Sequence, residues 1–588
     1  MTQKQSNRKI TTRECMIILL SILGLLVCIA VFFPQVRQMI MDSVEKILQR
    51  EVSPFAYQSF IKGFFSFAMG GICLILFFDY CALTESGRAL VRNAKQELKD
   101  CLSEIDFRSL RKPVLLLSGV YLLGILSIIR ANFSYMNDLK RSVDGLGGWH
   151  GWSRYVAEFT AIFVHGDTNL TDISPLTQLL AVFILAVSSV LLIYIIGNKK
   201  ITTVRLLASI PLGLFPFFLE CLVLKYDAYY MALSVLVCIV PFLFVNRKKA
   251  FIFCSVVCLL IMCMTYQAVS GVYMLIVVIL CFQDWNTGKK TYKEILSFLL
   301  TAGFSFCFAL LLYRVFLMKP ADTYASTAMY PVAHIISGAL NNIKDYAMAI
   351  NHNLGVIWKI GIVLVLVFFI AKSMYQSVYK KPVSFFVSIL IIGISFVLSF
   401  GAYVLLEVPL YAPRGLIGFG IFLAVLCIYV VSDYKKAAIV TVLALNWCFF
   451  VFASSYGNAL ADQKRYAEFR AGILLHDLNT LYPNMSREGL SIQFKNSIDY
   501  APTIKNIARH YPVIEELVPK LIGDNSFFDW YYLMEHYNFN RVETDNRAVD
   551  DASNENSNDS ALDSTVVLDS YYHTIQSDGK RVLILLKH

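Results

Sequence analysis

The sequence predicts an all-α polytopic membrane protein with about thirteen transmembrane helices, followed by a small C-terminal α/β domain. Three observations carry this. Of the 588 residues, 57% are hydrophobic and only 16% charged, against roughly 45–50% and about 25% in soluble domains. Apolar runs close to the ~20 residues that span a bilayer recur along the chain. After Ala453 the composition turns polar. The formal net charge of +10 suits nucleic-acid binding or basic cytoplasmic loops, and its concentration at the ends of apolar runs favours the loops. No nucleic-acid partner is expected. Most of the 14 cysteines lie inside apolar runs and form no CxxC pair, which supports neither a zinc site nor a disulfide framework.

Lys4, Arg8, Lys9 and Arg13 precede a first apolar run at 15–33. That run exceeds the roughly 7–15 residues of a signal-peptide core, and no small-residue cleavage site follows it, so it reads as an uncleaved helix. Further runs fall near 60–79, 113–130, 176–197, 201–219, 229–246, 250–266, 269–283, 295–314, 355–371, 383–405, 415–432 and 437–453. Alternate connections are basic: Arg88 to Lys112, Lys199 to Arg205, Arg247 to Lys249, Lys289 to Lys293, Lys372 to Lys381, and Lys435-Lys436. All fall on the side of the basic N-terminus, which the positive-inside rule makes cytoplasmic. The remaining connections, including the long loops 131–175 and 315–354, then face outward.

Residues 1–453 therefore read as one transmembrane domain and 454–588 as an extracytoplasmic domain. In the latter, Ala459 to Leu481 has the spacing of an amphipathic helix. Leu490 to Phe494 and Val582 to Leu586 read as strands. Asp550 to Ser564 is rich in Asn, Asp and Ser and reads as a disordered connection.

Chemistry concentrates in the outward loop from Asn137 to Arg154. It offers Asp138 and Asp144 as acids, Asn137 as an amide, Lys140, Arg141 and Arg154 as cations, and Trp149 and Trp152 as flat apolar faces. A carboxylate at a desolvated boundary suits a general base for a hydroxyl. Arginines suit an anionic phosphate, and aromatic faces suit sugar rings. The same residues also fit an interfacial re-entrant loop with Trp anchors and snorkelling cations. Glu220, Lys225 and Asp227, Tyr266-Gln267, and Glu407, Tyr411 and Arg414 fall in other outward turns, where a shared cavity and separate solvated helix ends are both open. His150 and His165 lack a second ligand at useful spacing, so no metal is expected. Walker, GxGxxG, GxSxG and HExxH motifs are absent, and no cofactor is expected.

Tyr135-Met136-Asn137-Asp138-Leu139-Lys140-Arg141, with Gly145, Gly148-Trp149 and Ser153-Arg154, resembles the start of the glucosyltransferase II family of membrane enzymes. Thr171-Asp172-Ile173-Ser174-Pro175-Leu176, Tyr226-Asp227-Ala228, Tyr266-Gln267-Ala268, Pro413-Arg414 and Tyr466-Ala467-Glu468 continue the likeness, over about residues 114–480. Two positions depart from the family pattern. Asn137 stands where the first of two paired acids is usual, and Ser153 where a glycine precedes the arginine. The resemblance implies a GT-C-like enzyme of the bacterial inner membrane. Such an enzyme takes glucose from undecaprenyl-phosphate-glucose on the periplasmic side and attaches it, with inversion, to a lipid-linked O-antigen repeat. It implies a donor-lipid flippase and a donor-lipid synthase as pathway partners, beside the surrounding membrane lipids.

On that footing Asp138 is the expected base, and Arg141, Arg154, Lys225 and Arg414 are expected donor-phosphate ligands. Asn137, Asp144, Trp149, Trp152, Asp227, Tyr266 and Gln267 are expected to bind substrate. An O-antigen polymerase or ligase, which would rely on arginine-rich outward loops, and a non-enzymatic lipid-linked glycan transporter, hinted at by Pro211 and Pro216, are the rival readings.

Overall fold

The computed structural model describes residues 106–318, 328–433, 436–482, 491–523, 565–577 and 581–587, with a few single positions elsewhere. The expected spans 15–33 and 60–79 and the connection 550–564 lie outside these. Among the described residues, seven helices are long and apolar enough to cross a membrane, or eight if one bent pair counts as a span.

The first continuously described helix is α1 (Phe107–Ala131), whose N-terminus is capped by the Asp106 carboxylate accepting from the Arg108 and Ser109 amides. The next segment carries α2 (Asp138–Asp144) and α3 (Tyr155–His165). After α4 (Leu176–Ile196) come α5 (Thr203–Leu214) and α6 (Pro216–Val223), bent by 62°. The bend has a local cause. A residue before proline is driven out of the helical region, and Phe215 sits at φ −62°, ψ 139° ahead of Pro216. Short α7 (Ala228–Ile239), α8 (Lys248–Cys263) and α9 (Val272–Asn286) follow.

Next comes α10 (Tyr292–Leu312), with Thr291 and Glu294 forming a reciprocal cap at its start. The bundle continues with α11 (Ile335–Asn353), α12 (Val356–Gln376), α13 (Lys381–Phe400) and α14 (Gly418–Val430). It ends with the 46-residue α15 (Lys436–Leu481).

The count of thirteen spans is not reproduced among the described residues. The runs expected at 229–246, 250–266 and 415–432 fall on α7, α8 and α14, which are short. Every residue of α14 is buried within the protein, and at 1.5 Å per residue its 13 residues reach ~20 Å, short of the ~30 Å hydrocarbon layer. Its apolarity serves protein contacts, and hydropathy does not tell these from lipid contacts. The helix expected to leave the membrane at 453 and the amphipathic helix from 459 are one continuous α15.

The helices approach through small residues, as membrane bundles require. Gly457 of α15 faces Ser127 of α1 so closely that an added Cβ would lie 2.4 Å from the Ser127 carbonyl carbon. The Ser127 hydroxyl donates across this contact to the Ala453 carbonyl at 3.1 Å.

Beyond α15, β1 (Ser491–Lys495) precedes α16 (Pro502–Ala508) and α17 (Val513–Leu517). The strands β2 (Thr565–Asp569), β3 (His573–Ser577) and β4 (Arg581–Leu586) complete a sheet of order β1-β4-β3-β2. Only the β1–β4 pair is parallel. The strands expected from sequence correspond to β1 and β4. Arg470 of α15 ties this sheet to the long helix by donating to the Tyr572 and Lys587 carbonyls at 2.7 and 2.9 Å.

Replacing Gly457 by Val should lower stability by about 1–3 kcal/mol more than the same change at Gly472, because nothing lies within 4 Å of a Cβ at Gly472. Thermal unfolding of the two variants in one detergent measures the difference. Equal losses would assign the effect to helix propensity rather than to the α1–α15 contact.

Candidate active site

The segment between α1 and α4 is folded rather than extended. Gly145 ends α2 at φ 68°, and a Cβ there would also meet the Asn169 side chain at 1.9 Å. Gly148, at φ 78°, starts the tight turn Trp149–Trp152. Both positions need glycine.

This segment presses Asp138, in the first turn of α2, against the turn between α6 and α7. Asp138 is 0% exposed. Its Oδ2 accepts from the Tyr135 amide at 2.9 Å and the Lys225 amide at 3.2 Å. Its buried Oδ1 has no hydrogen-bond partner. Burial lifts the carboxyl from 3.8 to about 7, with a further push from Asp227, against the pull of the Tyr135 amide.

Around Asp138 three acids each meet a cation. Arg141 donates to Asp227 at 2.7 Å and lies 4.3 Å over the Trp149 ring. The Trp149 indole N–H donates to the same Asp227 oxygen at 2.9 Å. Lys225 Nζ donates to Asp172 at 2.9 Å. Arg414 donates to Glu220 from its backbone amide at 2.6 Å and from its guanidinium at 2.5 Å. The Tyr135 hydroxyl donates to Glu220 at 3.2 Å, so this one residue joins Asp138 to the Glu220–Arg414 pair. The Tyr266 hydroxyl donates to the Arg414 carbonyl at 2.9 Å, while Arg154 stands 5.0 Å over the Tyr266 ring and donates to Gln267 at 3.4 Å.

Asp138, Arg141, Arg154, Lys225, Arg414, Trp149, Asp227, Tyr266 and Gln267, spread over 277 positions of sequence, thus come together. The structure differs from expectation in how two of them face. Trp149 is buried with its ring under Arg141, so it is not an open sugar platform. Arg141 is committed to Asp227 instead of standing free for a phosphate. Trp152 is half-buried, Asn137 is exposed, and Asp144 pairs at 4.0 Å with Lys140 on the exposed side of α2. Three groups given no role from sequence complete the network: Tyr135, Asp172 and Glu220. In the sequence Glu220 stands only among the outward turns that share a cavity or end helices separately, and Tyr135 and Asp172 only as parts of the family-like motifs.

Lys225 also lines a cavity of about 210 Å³ whose other walls include Ile128, Ile129, Phe133, Gln178 and Val223. Asn132 and Ser174 also line it, so its lining mixes apolar and polar residues. Among the described residues, no group of three or more His, Cys, Asp or Glu side chains is placed to hold a metal ion.

A multi-helix apolar bundle with a buried, charge-compensated carboxylate cluster beside such a cavity defines a membrane protein with an enclosed polar site. Its residues 126–430 match the family model for glucosyl transferase GtrII; the chain belongs to this family of glycosyltransferases. A relative in Salmonella phage P22, an uncharacterised 55.3 kDa protein in the gtrB 5′ region, is 24% identical over 437 residues, covering 69% of this chain and 86% of the phage protein. No solved structure matches the chain.

Arg141→Ala should destabilise the protein by about 3–5 kcal/mol, because it strands the buried Asp227 carboxylate. The double change Arg141→Ala with Asp227→Ala should recover part of that loss. Unfolding midpoints of the single and double variants test the coupling, and strictly additive losses would count against it.

Proposed function

We propose that this protein transfers a glucosyl residue from a polyprenyl-phosphate-linked donor to a hydroxyl of an O-antigen repeat, on the extracytoplasmic side of the bacterial inner membrane. The observation that carries the reading is Asp138: a buried carboxylate with one unpartnered oxygen and a pKa lifted to about 7. A general base works best with its pKa near the working pH. Membership in the GtrII family supports glucose as the sugar and O-antigen as the acceptor.

In the proposed step the acceptor hydroxyl oxygen attacks the anomeric carbon of the donor while Asp138 takes the hydroxyl proton. The bond from that carbon to the phosphate oxygen breaks, and its electron pair leaves with the polyprenyl phosphate. Attack opposite the leaving group inverts the anomeric configuration. Lys225 lines the cavity and is assigned to the departing phosphate, whose growing charge it stabilises. Arg141, Arg154 and Arg414, held by Asp227, Gln267 and Glu220, add positive potential from behind. The apolar residues Ile128, Ile129 and Val223 suit the first isoprene units. Trp152 remains the aromatic face assigned to a sugar. The reading takes the N-terminus as cytoplasmic, residues 1–453 as the transmembrane domain and 454–588 as an outer domain. A flippase would then deliver the donor that a synthase makes on the cytoplasmic face.

Asp138→Asn keeps an oxygen for the Tyr135 amide but cannot accept the proton. Transfer, read as a one-hexose mass shift on the glycan repeat, should fall by about 10²–10⁴-fold with the protein still inserted and folded. Near-normal transfer would sink the assignment. In the native enzyme, kcat/KM should rise about tenfold per pH unit below pH ~7 and level off above it, as Asp138 ionises. The sign for stability is opposite. A carboxyl whose folded pKa is raised stabilises the fold fully below its unfolded value near 4, and that contribution is lost as pH climbs through about 7.

A further inference from the structure

Away from the active-site network, α8 and α10 pack side by side and leave an open groove of about 480 Å³ between them. Ile252, Leu296, Leu300 and Phe304 form its apolar wall, and Lys248 and Lys293 stand in it near the starts of the two helices. Among the described residues neither lysine is paired with an acid, whereas nearby Lys290 is held by Asp284 at 2.6 Å. Glu294, the acid next to Lys293, is turned back onto the Thr291 amide and hydroxyl at 2.8 Å each. Leu296, Leu300 and Phe304 are each more than half exposed, so no described part of the protein covers this wall.

We infer that this groove is a site for one anionic phospholipid, its phosphate between Lys248 and Lys293 and an acyl chain along Leu296, Leu300 and Phe304. Charge complementarity selects the headgroup. Both helices begin at this end, and helix N-termini add positive potential to that of the lysines.

Length selects the tail. From Lys293 to Phe304 the helix rises eleven steps, or ~16 Å, which is about half of the ~30 Å hydrocarbon layer. That matches the acyl chains of a single leaflet. A polyprenyl tail is far longer, so the groove is assigned to a resident phospholipid and not to a second copy of the donor. Ser297 and Thr301 also line the groove and give the ester region of such a lipid polar neighbours. The inference does not depend on glucosyl transfer.

The test uses the full-length protein in nanodiscs of mixed phosphatidylglycerol and phosphatidylcholine, released for native mass spectrometry. The native chain should retain phosphatidylglycerol in preference, and K248Q/K293Q should lower that preference roughly 30-fold, the size expected for two lysines at an anionic surface. K380Q/K381Q removes the same charge at residues outside the groove and should leave the preference intact. Leu300→Trp fills the groove without touching charge and should displace the lipid. Equal loss in both lysine doubles, or no loss in K248Q/K293Q, overturns the site. Displacement of phosphatidylglycerol by equimolar undecaprenyl phosphate overturns the choice of a phospholipid.

Discussion

Glu220 and Arg414 make the contact on which the polar end of this bundle depends. Glu220 is almost fully buried, and a carboxylate in that position costs several kcal/mol unless it is paired and hydrogen-bonded. Arg414 supplies both a backbone and a side-chain donor, and the Tyr135 hydroxyl supplies a third. Meeting that need brings three distant parts of the chain together: the turn after α1, the second half of the bent α5–α6 pair, and the link before α14. The bend at Pro216 is what delivers Glu220 to this point. The same proline that hints at a transport helix in the sequence has a packing role here.

From that anchor the rest of the site follows by pairing. Tyr135 carries the constraint from its hydroxyl to its amide, which holds Asp138. Asp227 then satisfies Arg141 and Trp149 together, and Asp172 satisfies Lys225. Each carboxylate but one is matched to a cation. Asp138 receives only backbone amides, so its charge is the least compensated, and burial has its full effect on that group. The result is one buried carboxylate raised by desolvation among carboxylates that are each paired with a cation. Arrangements of this kind separate neighbouring carboxylates into different roles.

Much of this was legible in the sequence, for reasons that can be named. Apolar runs and basic loops reveal membrane helices because the bilayer excludes charge, and α1, α4, α9, α10, α12, α13 and α15 all lie on runs read that way. The loaded loop was legible because charges beside an apolar run are unusual. What stayed hidden is pairing. Nothing local to Arg141 indicates that Asp227 will neutralise it, and nothing local to Trp149 indicates that its ring will be covered. The shortness of α14 was hidden too, since burial in protein and burial in lipid select the same side chains. The strands β2 and β3 escaped because Thr565 to Asp569 and His573 to Ser577 lack a strict alternation of apolar and polar residues.

The position that departs from the family pattern bears on which acid matters. Asn137 replaces the first of two paired acids, which on sequence alone leaves the site one carboxylate short. In the folded chain Asn137 is exposed beside α2, while Asp138 is wholly buried. An acid at 137 would be solvated, with the ordinary pKa of a surface carboxylate, and would share none of the desolvation that raises Asp138. It would also add a like charge next to Asp138 and push that group further toward its protonated form. Asparagine at 137 removes that repulsion and lets Asp138 ionise nearer neutral pH. On the proposed role of Asp138 as general base, the loss of its neighbour's charge favours the protonation state that role needs instead of disabling it.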